Sequence, residues 1–260
     1  MQNNEWNAQK YKQFSKSQEK WAKELIEDIS IDETTSILDI GCGDGKVTNL
    51  FYQQSAKEVI GIDSSSNMIV LAKSNYKEIT FIVMDAQNIE FENKFDLVFS
   101  NAALHWVKNH EAVLQGVYKS LKPYGKIVFQ MGGYGNAAMI FQALETTKQK
   151  YSQYFRDFSS PYTFHTDRYY DALLEKYGFV NKKVALIKKD MIHQDRKIFK
   201  GWLETTWFPY LNQVPKEFQE HFLEQWIENY LDIVPLDLEK RVYVSMVRLE
   251  VKAQKGKLNL

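Results

Sequence analysis

Apolar and polar positions along the chain fall into two alternating textures. Trp21, Leu25, Ile26 and Ile29 recur at helical spacing and predict an amphipathic helix that stops before Ser36. The run Ser36-Ile-Leu-Asp-Ile40 is short and apolar, and beyond a glycine-punctuated loop Val47, Leu50 and Phe51 resume a helical period. Strand, tight loop and helix therefore follow one another there. The pattern repeats with strands over 59–62, 79–84, 95–100 and 125–131 and helices over 68–72 and 112–121. These strands are apolar along most of their length, as expected where both faces are covered. Such alternation predicts an α/β fold, a mostly parallel sheet with helices on both faces.

Past Gly135 the texture turns helical and aromatic through Phe141, Tyr151, Tyr154, Phe155 and Phe158, and it ends near Pro161. A helix over 167–177, stopped by Gly178, and a strand over 180–187 come next. Residues 202–230 are again helical and aromatic, and a seventh strand is expected over 242–251. The organisation read from this is a core with its N-terminal helix over 1–134, a helical cap insertion over 135–166, and the rest of the α/β domain over 167–260. A second cap segment falls at about 195–232 within that last part. Taken singly these aromatics read as ordinary core filling; for the set, lining a pocket is the alternative.

Composition narrows the function classes. In 260 residues, 33 basic and 33 acidic side chains cancel, so no global field draws the chain to nucleic acid or an anionic membrane. With Cys42 as the one cysteine there is no internal disulfide framework. Residues 1–20 are polar and lack the apolar core of a secretion leader, and no apolar run approaches the roughly 20 residues of a membrane-spanning helix. A cytoplasmic location is the expectation. His110, His165, His193 and His221 show no ligand spacing, so no metal is expected.

Chemistry concentrates at Asp39-Ile-Gly-Cys-Gly-Asp-Gly45, where three glycines alternate as a strand turns into a helix. Glycine accepts positive φ, and its missing Cβ lets a ligand approach the backbone beside the free N–H groups of the helix start. A dinucleotide loop reads G-x-G-x-x-G, and here the third glycine comes one residue early. Asp63 ends the second strand, where a carboxylate accepts hydrogen bonds from both hydroxyls of a ribose; the alternative is a cap for the next helix, which Ser64, Ser65 or Ser66 supplies equally well. Asp85-Ala86 follows the third strand and Asn101-Ala-Ala-Leu-His-Trp106 the fourth.

This series resembles the class I S-adenosylmethionine (SAM)-dependent methyltransferases, a Rossmann-like fold with a seven-stranded sheet. The resemblance implies that Asp39, Gly41, Cys42, Gly43 and Gly45 hold the amino-acid end of the cofactor and that Asp85 and Ala86 contact its adenine. Asp63, Ser64, Met68 and Asn101 complete the expected set, and Tyr11 lies over the cofactor. Three stretches, Trp6-Asn-Ala-Gln-Lys-Tyr11, Ser100-Asn-Ala-Ala-Leu-His-Trp-Val107 and residues 203–231, narrow the resemblance to the trans-aconitate and juvenile hormone acid methyltransferase families. Both make methyl esters of small-molecule carboxylic acids. By that resemblance Gln18 and Trp106 grip the substrate carboxylate.

A carboxylate is ionised at neutral pH, its ordinary pKa being about 4, so no catalytic base is required. His105, beside Trp106, is either a packed histidine or a base for a phenol, amine or hydroxyl. Cys42 reads as a small loop residue rather than a nucleophile. Arg156, Arg168, Arg196, Arg241 and Arg248 are candidates to pair with a polyacid but read individually as surface residues. The alternatives are a malonyl carrier-protein methyltransferase, a C-, N- or O-methyltransferase on another metabolite, and a SAM-binding interaction protein without turnover.

Overall fold

The computed structural model describes the chain from residue 16 to residue 257, with side chains from residue 21. Helix α1 (Lys16–Glu27) leads into β1 (Ser36–Ile40), α2 (Lys46–Gln53), β2 (Glu58–Asp63), α3 (Ser66–Asn75) and β3 (Thr80–Val83). Next come β4 (Phe95–Asn101), a 3-10 turn at Leu104–Trp106, α4 (His110–Ser120) and β5 (Leu121–Gly132). Then follow α5 (Ala138–Lys148), α6 (Asp167–Lys176), β6 (Phe179–His193), α7 (Arg196–Thr206), α8 (Phe208–Leu211), α9 (Lys216–Ile233) and β7 (Val242–Lys255).

All seven strands join one sheet in the order β3-β2-β1-β4-β5-β7-β6. The β1–β2, β1–β4, β2–β3 and β4–β5 pairs are parallel, and β5–β7 is antiparallel. This is the mostly parallel seven-stranded α/β sheet that the sequence pattern predicts. Strand order reverses between β1 and β4, so the loops leaving their carboxyl ends part and open a crevice, the place where open sheets of this kind bind ligands.

Burial on the two faces explains the apolar strands. On one face Leu25 and Ile26 of α1 and Phe51 of α2 pack on Ile37, Val59, Leu97, Phe99 and Val128. On the other, Val113, Leu114 and Val117 of α4 and Tyr170, Leu173 and Leu174 of α6 cover Leu38, Ile40, Val98, Phe129 and Val251. Each such side chain contributes about 1.5–3 kcal/mol on burial. Loops that these strands carry are thus held on a rigid frame.

The described chain divides into two compact units. One comprises Gly135–Pro161 and Lys188–Val247; the other is the remainder and holds the crevice between β1 and β4. The first is built on aromatics: Trp202, Phe222, Trp226 and Tyr230 are buried, and the Trp226 indole donates to the Ile140 carbonyl at 3.0 Å.

Several element ends differ from the sequence expectation. β5 begins at Leu121 rather than Gly125, because Leu121 pairs with Phe95 across an irregularity in the ladder. β6 runs on to His193. The single helical stretch expected over 202–230 is three helices, since Pro209 and Pro215 lack the N–H that a continuous helix needs; one opens α8 and the other precedes α9. Among the described residues no helix is long and apolar enough to cross a membrane, and no group of three or more His, Cys, Asp or Glu side chains is placed to hold a metal ion.

Candidate active site

The loop after β1 is shaped by its glycines. Gly41, Gly43 and Gly45 have φ of 72°, 54° and 84°, a region that L side chains rarely adopt. Gly41 is also hemmed in: a Cβ there would stand 2.1 Å from the Ala103 Cβ on the loop after β4, so the two loops of the crevice meet at that point. At Gly43 a Cβ would meet nothing within 4 Å, which leaves its backbone open to a ligand. Gly41 and Cys42 both donate their N–H to the Ile62 carbonyl, at 2.8 and 3.0 Å, and so tie the loop to the end of β2.

Asp63 completes that connection. Its Oδ2 accepts from the Gly43 N–H at 3.0 Å and its Oδ1 from the Ser65 N–H at 2.8 Å. Each carboxylate oxygen keeps a further lone pair, and two hydroxyl donors fit them. Capping of α3 falls instead to Ser65, whose side chain accepts from the Met68 N–H at 3.3 Å. Burial raises the Asp63 pKa while the two backbone N–H groups oppose the shift.

Asp39 is 2% exposed and accepts from the Thr48 hydroxyl at 2.7 Å. Burial pushes its pKa up to about 7, with repulsion from Asp63 adding to the rise. Two carboxylates in a partly dry crevice suit a ligand that brings a cation and a pair of hydroxyls. The amino acid and ribose of S-adenosylmethionine supply both, so these residues fit that group. Thr48 has no part in the sequence reading, although its place in the first turn of α2 was available to it.

The other expected residues are placed as follows. Ser64 is exposed, Met68 is buried and Ala86 is half-buried. The Asp85 carboxylate accepts from the Gln87 backbone N–H at 2.8 Å and from its side-chain amide at 3.1 Å. Asn101, at the end of β4, lies opposite Gln130. Cys42 is buried and its thiol is pushed well above the usual range, chiefly by burial, as suits a packed loop residue. Tyr11 and the side chain of Gln18 lie outside the described residues.

Trp106 closes the 3-10 turn after β4, its ring centre 4.6 Å from that of Tyr162. Tyr162 in turn stacks on Phe164 at 5.6 Å and 9°. Neither aromatic carries a sequence signal for this role, because the contacts of Tyr162 with Trp106 and of Phe164 with His105 arise only when the chain returns after residue 161. His105 lies within, 8% exposed; its Nδ1 faces the Gly132 N–H at 3.4 Å and its carbonyl accepts from Thr163. Burial lowers its pKa well below the ordinary value, with Arg248 and His110 acting in the same direction. Of the five arginines read as surface residues, Arg248 is the correction: it is 3% exposed.

Comparison with known proteins bears on this geometry. A methyltransferase domain model matches residues 38–129, which run from β1 to β5. The chain is 33% identical over 215 residues to an uncharacterized methyltransferase, C70.08c, of Schizosaccharomyces pombe, covering 77% of this chain and 79% of that one. It is 27% identical over 256 residues to the trans-aconitate 2-methyltransferase of Escherichia coli, with 96% and 98% covered. The fold is shared with Haemonchus contortus phosphoethanolamine N-methyltransferase 2 in complex with phosphomonomethylethanolamine and S-adenosylhomocysteine. There the TM-score is 0.61 at 19% identity, over 99% of this chain and 59% of that chain.

Proposed function

Because this chain belongs to the class I SAM-dependent methyltransferases, we propose that it transfers the methyl group to the carboxylate of a small-molecule acid, giving a methyl ester. Bound SAM supplies a methyl group on a sulfonium, an electrophile with its leaving group built in. The residues of this chain then have three tasks: to hold the cofactor, to hold the acceptor in line with it, and to keep the acceptor ionised.

In this reading the backbone of Gly41, Gly43 and Gly45 lets the cofactor lie close, with Cys42 packed beneath. Asp39 faces its ammonium, Asp63 and Ser64 take its ribose hydroxyls, and Met68, Asp85, Ala86 and Asn101 border its adenosine. Tyr11 covers it. The Gln18 amide and the Trp106 indole donate N–H groups to one acceptor carboxylate, which they orient without protonating. Alignment of that kind lowers a barrier by several kcal/mol.

The observation that carries the acceptor class is the state of His105. It is the imidazole beside Trp106, it is buried, its Nδ1 faces the Gly132 N–H, and its depressed pKa makes it a poor base. An acceptor that must lose a proton is badly served here, whereas a carboxylate arrives without one. Similarity to a trans-aconitate 2-methyltransferase over 96% of the chain supports the same reading.

The test pairs a calorimetric titration with S-adenosylhomocysteine and a transfer screen over aliphatic, isoprenoid and polycarboxylic acids, trans-aconitate included. Ester formation is expected with at least one acid. In Gln18→Ala and Trp106→Phe, kcat/KM for that acid should fall about tenfold or more, while S-adenosylhomocysteine affinity stays within about twofold. Transfer only to amines, phenols or alcohols, or undiminished turnover in both variants, would overturn the proposal.

A further inference from the structure

Trp106 ends the 3-10 turn Leu104–Trp106, and its N–H donates to the Ala103 carbonyl at 3.0 Å. Residues three apart in such a turn fall on one side. Trp106 therefore stands on the side of Ala103, which lies against Gly41 of the glycine loop. So short a turn fixes the backbone and leaves the indole to its neighbours, because the outer torsion of a tryptophan side chain has only broad preferences. The direction of the ring matters, since an indole has one N–H and it points wherever the ring points.

The surface against which this indole packs is itself held at several points. Tyr162 meets it with 4.6 Å between ring centres and 58° between ring planes. Tyr162 is 9% exposed, and its ring stacks on Phe164. Its carbonyl accepts from Lys108 Nζ at 3.3 Å, and the next N–H, of Thr163, donates to the His105 carbonyl at 2.8 Å. Further along the segment the His165 carbonyl accepts from the Tyr134 N–H at 2.9 Å, and the Thr166 side chain caps α6 by accepting from the Tyr169 N–H at 3.2 Å. Residues 162–166 are thus fastened to the turn, to the end of β5 and to α6. An aromatic ring set against another restricts its tilt, whereas an aliphatic side chain of similar size fills the space without selecting an orientation.

We propose that Tyr162 is a positioning residue for methyl transfer, its ring setting the direction of the Trp106 N–H and, through it, the alignment of the acceptor carboxylate with the methyl group. This rests on the carboxylate reading, in which Trp106 holds the acceptor. Misalignment of reacting atoms costs rate more than it costs binding, so the effect belongs mainly to kcat.

The experiment compares wild type, Tyr162→Leu, Tyr162→Phe, Trp106→Phe and the double variant Tyr162→Leu/Trp106→Phe, with trans-aconitate and decanoate as acceptors. In Tyr162→Leu, kcat for the acid that wild type esterifies should fall about tenfold or more, with KM within about threefold and S-adenosylhomocysteine affinity within about twofold. Tyr162→Phe keeps the ring and should stay within about threefold of wild type. With Trp106 already replaced there is no indole N–H to direct, so adding Tyr162→Leu should lower kcat by less than about threefold more. Tyr162→Met takes the place of the leucine variant where that one does not fold. Undiminished kcat in Tyr162→Leu, a loss carried by KM alone, an equal loss in Tyr162→Phe, or a fully additive loss in the double variant overturns the inference. A wild type that esterifies neither acid, or undiminished turnover in Trp106→Phe, removes the acceptor role of Trp106 and this inference with it. Impairment by Trp106→Phe beside an unaffected Tyr162→Leu overturns this inference alone.

Discussion

Two neighbouring glycines in the loop after β1 do different work, and substitution separates them. Gly41→Ala combines positive φ with a Cβ driven into Ala103, so a loss of about 2–4 kcal/mol in stability is expected. Gly43→Ala meets open space and incurs the conformational cost alone, about 1 kcal/mol. Both should weaken S-adenosylhomocysteine binding at least tenfold, since in the proposed site the cofactor approaches through the open space at Gly43. Thermal denaturation beside calorimetry distinguishes the two; equal melting temperatures would contradict the steric account. Asp39 brings a pH dependence. Its pKa of about 7 lies above the unfolded value of 3.8, so the fold holds a proton that the unfolded chain releases, and this group's contribution to stability declines as pH rises between those values. Ligand binding that needs the carboxylate runs the opposite way. Affinity for S-adenosylhomocysteine should fall about tenfold per unit as pH drops below 7, and Asp39→Asn should bind weakly with a flat profile. A wild-type profile that is flat from pH 5.5 to 7.5 would remove Asp39 from the ammonium site.

Elements carry their own titration. His110 opens α4, its Nδ1 lies 3.3 Å from the Tyr170 hydroxyl of α6, and its ring meets that of His165 edge-on at 4.5 Å. Burial lowers its pKa to about 4, the nearby His165 acting in the same direction. Below about pH 6.5 the unfolded chain takes up a proton that the folded α4–α6 contact refuses, so stability is lost as pH falls from 6.5 towards 4. Thermal melts at pH 7, 5.5 and 4.5 should drop less steeply in His110→Phe than in wild type. Equal slopes would show that the contact admits the charged ring.

The elements also explain what the sequence made legible. β1 to β4 and the glycine loop were readable because their signals are local: apolar runs bounded by residues that demand a particular φ. Pro209 and Pro215 mark the helix breaks within 202–230, where the aromatic period alone predicts one helical stretch. In β7, Val242, Val244 and Met246 are buried, and then Leu249, Val251 and Ala253, so the alternation changes phase at Arg248. That shift was visible, but the burial of the arginine depends on α1 and β5, which no local pattern reports. Tyr162 reaches Trp106, and Phe164 reaches His105, by a long return of the chain, and neither left any mark at all.

At the scale of the whole molecule the formal net charge is zero, so no global field steers a charged ligand towards the protein. The sheet has two edges, β3 and β6. β3 is short, and β6 carries Lys182, Lys183, Lys188 and Lys189, which discourage pairing with another sheet. The order of the strands has a consequence for biosynthesis. β7 is the last of the seven to leave the ribosome, yet its place is inside the sheet, between β5 and β6. Until it arrives β5 is an unfinished edge and β6 has no neighbour. A nascent chain therefore displays the apolar flank of β5 for the time taken to make residues 133–255, a period of roughly 6 to 25 seconds at about 5–20 residues per second. A message broken before β7 yields a protein that keeps the glycine loop but leaves this flank open to chaperones and to its own copies.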